Sequence, residues 1–108
     1  MQFERDMASN HRALFESARA ILTDTYALKE TQKERITTYS DAAGGICHMR
    51  TMKHGIDIGF LKGARMADVH GLLSGTGKIM RVLSLECLDE ISLRYYLDQA
   101  IEINAQTA

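Results

Sequence analysis

The most constraining feature of the sequence is a pair of strand-like runs in the middle of the chain, joined by a very short connection. Residues 46–52 read ICHMRTM, and residues 56–63 read IDIGFLKG. In the second run Ile56, Ile58 and Phe60 alternate with other residues, which is the two-residue period of a strand with one apolar face. A connection this short favours an antiparallel hairpin, because parallel strands need a crossover of about a dozen residues or more. The sequence therefore predicts an antiparallel sheet built around this hairpin.

Helical periodicity occurs toward both ends of the chain. From about residue 9 to residue 26, and again from residue 89 to about residue 105, apolar residues recur at spacings of three and four. The β-branched run at residues 35–39 and the apolar run at residues 78–85 predict further strands beside the hairpin. Because no long helix separates these strands, the predicted class is α+β. We expect an antiparallel sheet of about four or five strands with the N- and C-terminal helices packed on one face.

The length and composition are those of one domain, residues 1–108. The chain is 45% hydrophobic and 25% charged, as is usual for a globular domain. Its apolar runs stay below the ~20 residues that span a membrane, and residues 1–10 lack the apolar core of a signal peptide. The two cysteines, Cys47 and Cys87, are too few for a disulfide framework. We therefore expect a cytoplasmic protein, as a monomer or a homodimer, with no membrane partner.

The charge is unevenly distributed along the chain. Residues 48–81 contain six basic and two acidic residues, whereas residues 82–108 contain one basic and five acidic residues. Either these two segments neutralise each other on a solvated surface, or the basic segment contacts an anion. Nucleic acid is not an expected partner, because the net charge is −1 and aromatic residues for base stacking are scarce.

The sequence GLLSGTGKIMR at residues 71–81 looks like a phosphate-binding loop, but it does not meet the requirements of one. A Walker A loop has four residues between its glycines, whereas Gly71 and Gly77 are separated by five. Ile79 follows Lys78 where a hydroxyl residue would contact Mg²⁺, and the next residues predict a strand instead of the required helix. We interpret the stretch as a glycine-rich turn that leads into a strand.

The same turn is nevertheless the best candidate for a simple anion site. Glycines let backbone N–H groups approach a ligand, and an arginine can hold a carboxylate or phosphate through two hydrogen bonds. The candidate ligand-binding residues are Lys62, Arg65, Gly75, Gly77, Lys78 and Arg81, with His70 as a further cation. The alternative is a purely structural role. In that case Gly75 and Gly77 supply positive φ angles, and Lys78 and Arg81 pair with carboxylates of the C-terminal helix.

Two groups of residues are candidate metal ligands. Iron prefers clustered oxygen ligands, and the best cluster is Glu86, Asp89 and Glu90 at the start of the last helix. The alternative role of this cluster is to complement the helix dipole. The second group is Cys47, His48 and His54. Because neighbouring residues of a regular strand point to opposite faces, and no zinc-type spacing is present, zinc is not expected there. No serine or cysteine occupies a nucleophile elbow, so we expect no catalytic activity.

Residues 59–85, GFLKGARMADVHGLLSGTGKIMRVLSL, resemble the YdhG-like domain family, a large group of small bacterial domains. The matching positions are Gly59, Phe60, Gly63, Ala64, Asp68, Leu73, Gly75, Gly77, Lys78, Arg81 and Leu85, with Glu30 and Tyr39 upstream. The resemblance covers roughly residues 28–108. It departs from the family pattern at Met66, where leucine is usual, at Val69, and at Thr37 or Thr38, where proline is common.

The resemblance implies the same α+β fold but little about activity, and two hypotheses about function stay open. The first is a non-catalytic cytoplasmic module that binds a small anion or a protein partner, with its site at residues 75–81. The alternative follows from one family member that has been described as a frataxin-like iron chaperone for iron–sulfur cluster assembly. It implies iron as a cofactor, but the family pattern defines no iron-binding residues that can be transferred to this chain.

Overall fold

The predicted hairpin lies at the centre of a six-stranded antiparallel sheet. A computed structural model describes residues 1–107 of the chain. The strands are β1 (Lys29–Gln32), β2 (Thr37–Asp41), β3 (Gly44–Met52), β4 (Gly55–Phe60), β5 (Leu73–Ser74) and β6 (Arg81–Leu85). Their order across the sheet is β1-β2-β3-β4-β6-β5. The sheet thus exceeds the predicted four or five strands, because β1 is an almost wholly exposed edge strand and β5 has only two residues.

Within residues 1–107, three α-helices accompany the sheet, α1 (Gln2–Met7), α2 (Arg12–Ala20) and α3 (Glu90–Thr107). The single N-terminal helix predicted from residue 9 to residue 26 is therefore wrong in its bounds. Ser9 lies in the turn between α1 and α2, where its Oγ accepts the backbone N–H of His11 at 3.0 Å. Beyond Ala20 the backbone continues as a π-helical turn, Ile21–Thr25, in which apolar residues keep the helical spacing.

The hydrophobic core lies between the three helices and one face of the sheet. Alternate residues of β4, namely Ile56, Ile58 and Phe60, are fully buried there, which confirms the predicted apolar face. Core side chains from the other elements are Phe15, Leu22, Cys47, Met49, Leu83, Leu85, Leu93 and Leu97. Full burial of a side chain of this size stabilises the fold by about 1.5–3 kcal/mol. The helices therefore pack on one face, as predicted.

The ends of several elements differ from the prediction in ways that matter for the site. The strand predicted at residues 78–85 begins only at Arg81, and residues 68–71 form a hydrogen-bonded turn that is followed by β5. None of the helices formed by residues 1–107 has the length and apolar character that spanning a bilayer requires.

Candidate functional site

The connection between β4 and β6, residues 61–80, carries most of the predicted ligand-binding residues. Because β4 pairs with β6, with Phe60 opposite Arg81, the two ends of this connection are held side by side. A 3₁₀ turn, Gly63–Arg65, starts the connection, and the N–H of Ala64 donates to the carbonyl of Ile79 at 2.8 Å. This bond joins the first and last parts of the connection.

These two parts enclose a cavity of about 240 Å³, which we call the basic cavity. Its lining residues are Lys62, Ala64, Arg65, Lys78 and Ile79. Three of the candidate ligand-binding residues, Lys62, Arg65 and Lys78, therefore lie around one cavity. As far as residues 1–107 are concerned, the lining contains no carboxylate, and none of the three cations belongs to an ion pair.

One of the three cations is positioned from α3. The Nζ of Lys62 donates to Oδ1 of Asn104 at 2.8 Å and to the hydroxyl of Thr107. Asn104 is nearly fully buried, and its own Nδ2 donates to Oδ1 of Asp41 at 3.1 Å. The ammonium group is therefore held by neutral oxygens of α3.

The remaining predicted residues, Gly75, Gly77 and Arg81, do not line the basic cavity. The guanidinium group of Arg81 donates through Nη1 to the carbonyls of Gly77 and Met80, the latter at 2.6 Å. Gly75 has a φ of +119°, whereas Gly77 is not among the glycines with positive φ. Arg81 thus stabilises the glycine-rich turn from inside. It does not pair with a carboxylate of the C-terminal helix, as the structural alternative expected.

His70 lies away from the cavity, in a contact that fastens the connection to α3. Its ring packs edge-on against Tyr95, with centroids 4.7 Å apart. Asp68 accepts hydrogen bonds from the Tyr96 hydroxyl at 2.5 Å and from the backbone N–H of Leu72 at 3.0 Å. The hydrogen bond from Tyr96 contributes most to lowering the pKa of Asp68. This carboxylate therefore stays ionised at neutral pH. The contact holds the connection against the helix.

The first group of candidate metal ligands caps α3. Oδ1 of Asp89 accepts the backbone N–H of Ser92 at 3.1 Å, and this hydrogen bond lowers the pKa of Asp89. Glu90 is the first residue of the helix, where its charge complements the dipole. Glu86 and Asp89 also line a wide depression of about 590 Å³, with other residues that include Cys87. Within residues 1–107, no three histidine, cysteine or acidic side chains are arranged to hold a metal ion.

The second group of candidate metal ligands is divided between the two faces of the sheet. Cys47 is buried under the helices, and burial raises the pKa of its thiol to about 12, so the sulfur stays protonated. His48 lies on the opposite face, as the alternation of strand residues predicted. The Nε2 of His54 is 2.8 Å from Oδ1 of Asp57. These side chains therefore do not form one site.

A scan against protein-family models and searches of curated proteins and of solved structures found no match to this chain. Membership of the YdhG-like family therefore stays a prediction from the sequence motif.

Proposed function

We propose that the protein is a small, non-catalytic cytoplasmic domain of the YdhG-like kind that binds an anion in the basic cavity. The observation that carries this proposal is the convergence of Lys62, Arg65 and Lys78 on a cavity without a carboxylate in its described lining. Like charges that line one cavity repel one another, although solvent screens this repulsion where the side chains are exposed. An anion in the cavity would replace this repulsion by attraction.

The chemistry of the three cations favours a phosphate or carboxylate group as the ligand. Arg65 has a planar fork of N–H donors that matches two oxygens of such a group, and the lysines act as additional point charges. Ala64 and Ile79 add an apolar wall. The cavity volume of about 240 Å³ suits inorganic phosphate or a small organic phosphate. The protein then recognises a compact anion through charge, without the stacking surface that a nucleic acid requires.

An NMR titration with inorganic phosphate and with small phosphate monoesters tests this proposal. We expect saturable shifts at the backbone amides of Ala64 and Ile79. Arg65→Gln and Lys78→Gln should each weaken binding at least about tenfold, since each removes one or more charge-assisted hydrogen bonds. Binding should also weaken as the salt concentration rises.

The matched control is Arg35→Gln, which removes an exposed positive charge outside the cavity. It should leave phosphate affinity unchanged. If Arg35→Gln weakens binding as much as Arg65→Gln does, the affinity reflects overall charge, and the proposed site is wrong. The frataxin-like iron chaperone remains the alternative hypothesis, although no contact within residues 1–107 favours it. Localised iron-induced broadening at residues 86–90, without phosphate shifts at the cavity, would support iron binding instead.

A further inference from the structure

The face of the sheet opposite the helices carries a second cavity, of about 320 Å³, which we call the open-face cavity. Its lining residues are Ile36, His48, Arg50, Asp57, Gly59 and Val82. They come from β3, β4 and β6 and from the residue before β2. The strand register puts Arg50 opposite Asp57 and His48 opposite Gly59, so that two cross-strand pairs follow one another along the same face.

The floor of this cavity is the imidazole ring of His48 lying across Gly59. A Cβ atom at position 59 would be 2.4 Å from Cε1 of the ring, so only glycine lets the ring lie there undisturbed. The Nδ1 atom of His48 is buried and has no hydrogen-bond partner in another residue. Burial, followed by the nearby charge of Arg50, lowers the pKa of His48 and favours a neutral ring at pH 7. The floor is thus flat and uncharged.

The adjacent pair, Arg50 and Asp57, carries opposite charges but does not form a salt bridge. They face each other across β3 and β4, yet no nitrogen of Arg50 lies within 4.0 Å of a carboxylate oxygen of Asp57. Oδ1 of Asp57 is engaged by the Ser84 hydroxyl at 2.7 Å and by His54. Its Oδ2 and the guanidinium group of Arg50 have no hydrogen-bond partner within residues 1–107.

We infer that the open-face cavity binds a free α-amino acid with an aliphatic side chain, such as leucine. The ligand carboxylate pairs with Arg50, its ammonium group pairs with Asp57, and its side chain lies over the His48–Gly59 floor against Val82.

The dimensions of the sheet support this orientation. Successive residues on one face of a strand are about 7 Å apart, so the neutral floor begins one such step from the charged pair. With its ammonium and carboxylate groups at the charged pair, a leucine side chain covers more than half of this step, so that its methyl groups reach the edge of the floor. Because the two charges are opposite, a zwitterion fits better than a plain anion or a plain cation. This ligand differs from the anion proposed for the basic cavity, and the two sites share no lining residue.

A comparison of leucine with its two half-ligands tests the inference on the full chain. L-Leucine should cause saturable NMR shifts at the amides of Arg50, Asp57 and Gly59. We expect 4-methylpentanoate, which lacks the ammonium group, and 3-methylbutylamine, which lacks the carboxylate, each to bind at least tenfold more weakly. Glycine, which lacks the side chain, should also bind more weakly than leucine.

Two variants separate this inference from the proposed anion site. Arg50→Gln should weaken leucine binding at least tenfold and leave phosphate binding unchanged, while Arg65→Gln should have the opposite pattern. Because the guanidinium group of Arg50 makes no hydrogen bond within residues 1–107, its removal should not change the thermal unfolding temperature, which serves as the folding control.

Three results would overturn the inference. The first is the absence of saturable shifts at millimolar leucine. The second is equal binding of 4-methylpentanoate and leucine, which would identify a simple anion site. The third is concentration-dependent broadening of the open-face amides together with a doubled mass in sedimentation, which would identify this face as the interface between two copies of the chain.

Discussion

Replacing Gly55 by alanine should lower the free energy of unfolding by about 3 kcal/mol. Gly55 begins β4 with a φ of +153°, which side-chain-bearing residues rarely adopt. A Cβ atom there would be 2.0 Å from the carbonyl oxygen of Leu85, in the neighbouring strand β6. Because this neighbour is backbone, relief requires β4 and β6 to separate. That separation would disturb the packing of Ile56, which pairs with Leu85.

Urea unfolding followed by circular dichroism measures this effect, and two other glycines supply matched controls. Gly44 also has a positive φ, +121°, but a Cβ atom there meets nothing within 4 Å. Gly44→Ala should therefore cost only the backbone strain, about 1–2 kcal/mol. Gly77 has neither constraint, so Gly77→Ala should leave stability unchanged or raise it by a few tenths of a kcal/mol. Equal losses for Gly55→Ala and Gly44→Ala would contradict the close contact between β4 and β6.

Replacing Glu30 by glutamine should cost about 2 kcal/mol of stability. Glu30 lies on β1, its side chain is 11% exposed, and both its oxygens accept hydrogen bonds from Arg19 of α2, at 2.6 and 2.8 Å. Tyr39 donates a third hydrogen bond at 3.0 Å. The guanidinium group of Arg19 also lies 4.9 Å from the ring centre of Phe3. Removing the carboxylate leaves this partly desolvated cation without its counter-ion.

The hydrogen bonds that Glu30 accepts also predict how the stability of the protein depends on pH. Burial raises the pKa of Glu30, but the hydrogen bonds from Arg19, Gln32 and Tyr39 outweigh it, so the pKa lies below its ordinary value. A lowered carboxylate pKa contributes stability that is complete above the unfolded-state pKa of about 4.3 and is lost as the pH falls through the folded-state pKa. The difference in stability between the wild type and Glu30→Gln should therefore be constant above about pH 5 and shrink below it.

Thermal unfolding of both proteins between neutral and acidic pH provides the measurement. Glu34→Gln is the matched control, because Glu34 is exposed and forms no side-chain hydrogen bond or ion pair within residues 1–107. It should change stability by less than about 0.5 kcal/mol at any pH. A difference between wild type and Glu30→Gln that persists undiminished at low pH would show that the ionised carboxylate is not its source.

The parts of the fold that could be predicted are those in which burial imposes a period on the sequence. β4 alternates because one of its faces packs against helices, and α3 repeats at helical spacing because its buried side chains include Leu93 and Leu97. β1 reads KETQ and was not predicted, because an edge strand held by backbone pairing and by Glu30 has no apolar period. The short helix α1 was not predicted for a similar reason. Its one fully buried residue is the charged Asp6, so its sequence shows no apolar helical period.

The candidate site could be predicted only in part, because its residues depend on how the connection between β4 and β6 folds. The net charge of residues 48–81 indicated a basic surface, and Lys62, Arg65 and Lys78 do line one cavity. The sequence could not show that Arg81 would turn inward to backbone carbonyls. The open-face cavity was missed because its lining is assembled by strand register. The only local signal was the two-residue spacing between His48 and Arg50 and between Asp57 and Gly59, which puts the members of each pair on the same face of the sheet.

The strand order makes the basic cavity dependent on the pairing of β6 with β4. Every neighbouring pair of strands in the sheet is consecutive in the chain except β4 and β6. These two strands are joined by residues 61–80, which include β5. The three cations of the basic cavity all belong to that segment. Detachment of β6 from β4 would therefore dismantle the cavity while the hairpins among β1, β2, β3 and β4 remain paired. Amide hydrogen exchange in β6 and release of a bound anion would then share one opening motion, and occupancy of the cavity would slow exchange in β6 selectively.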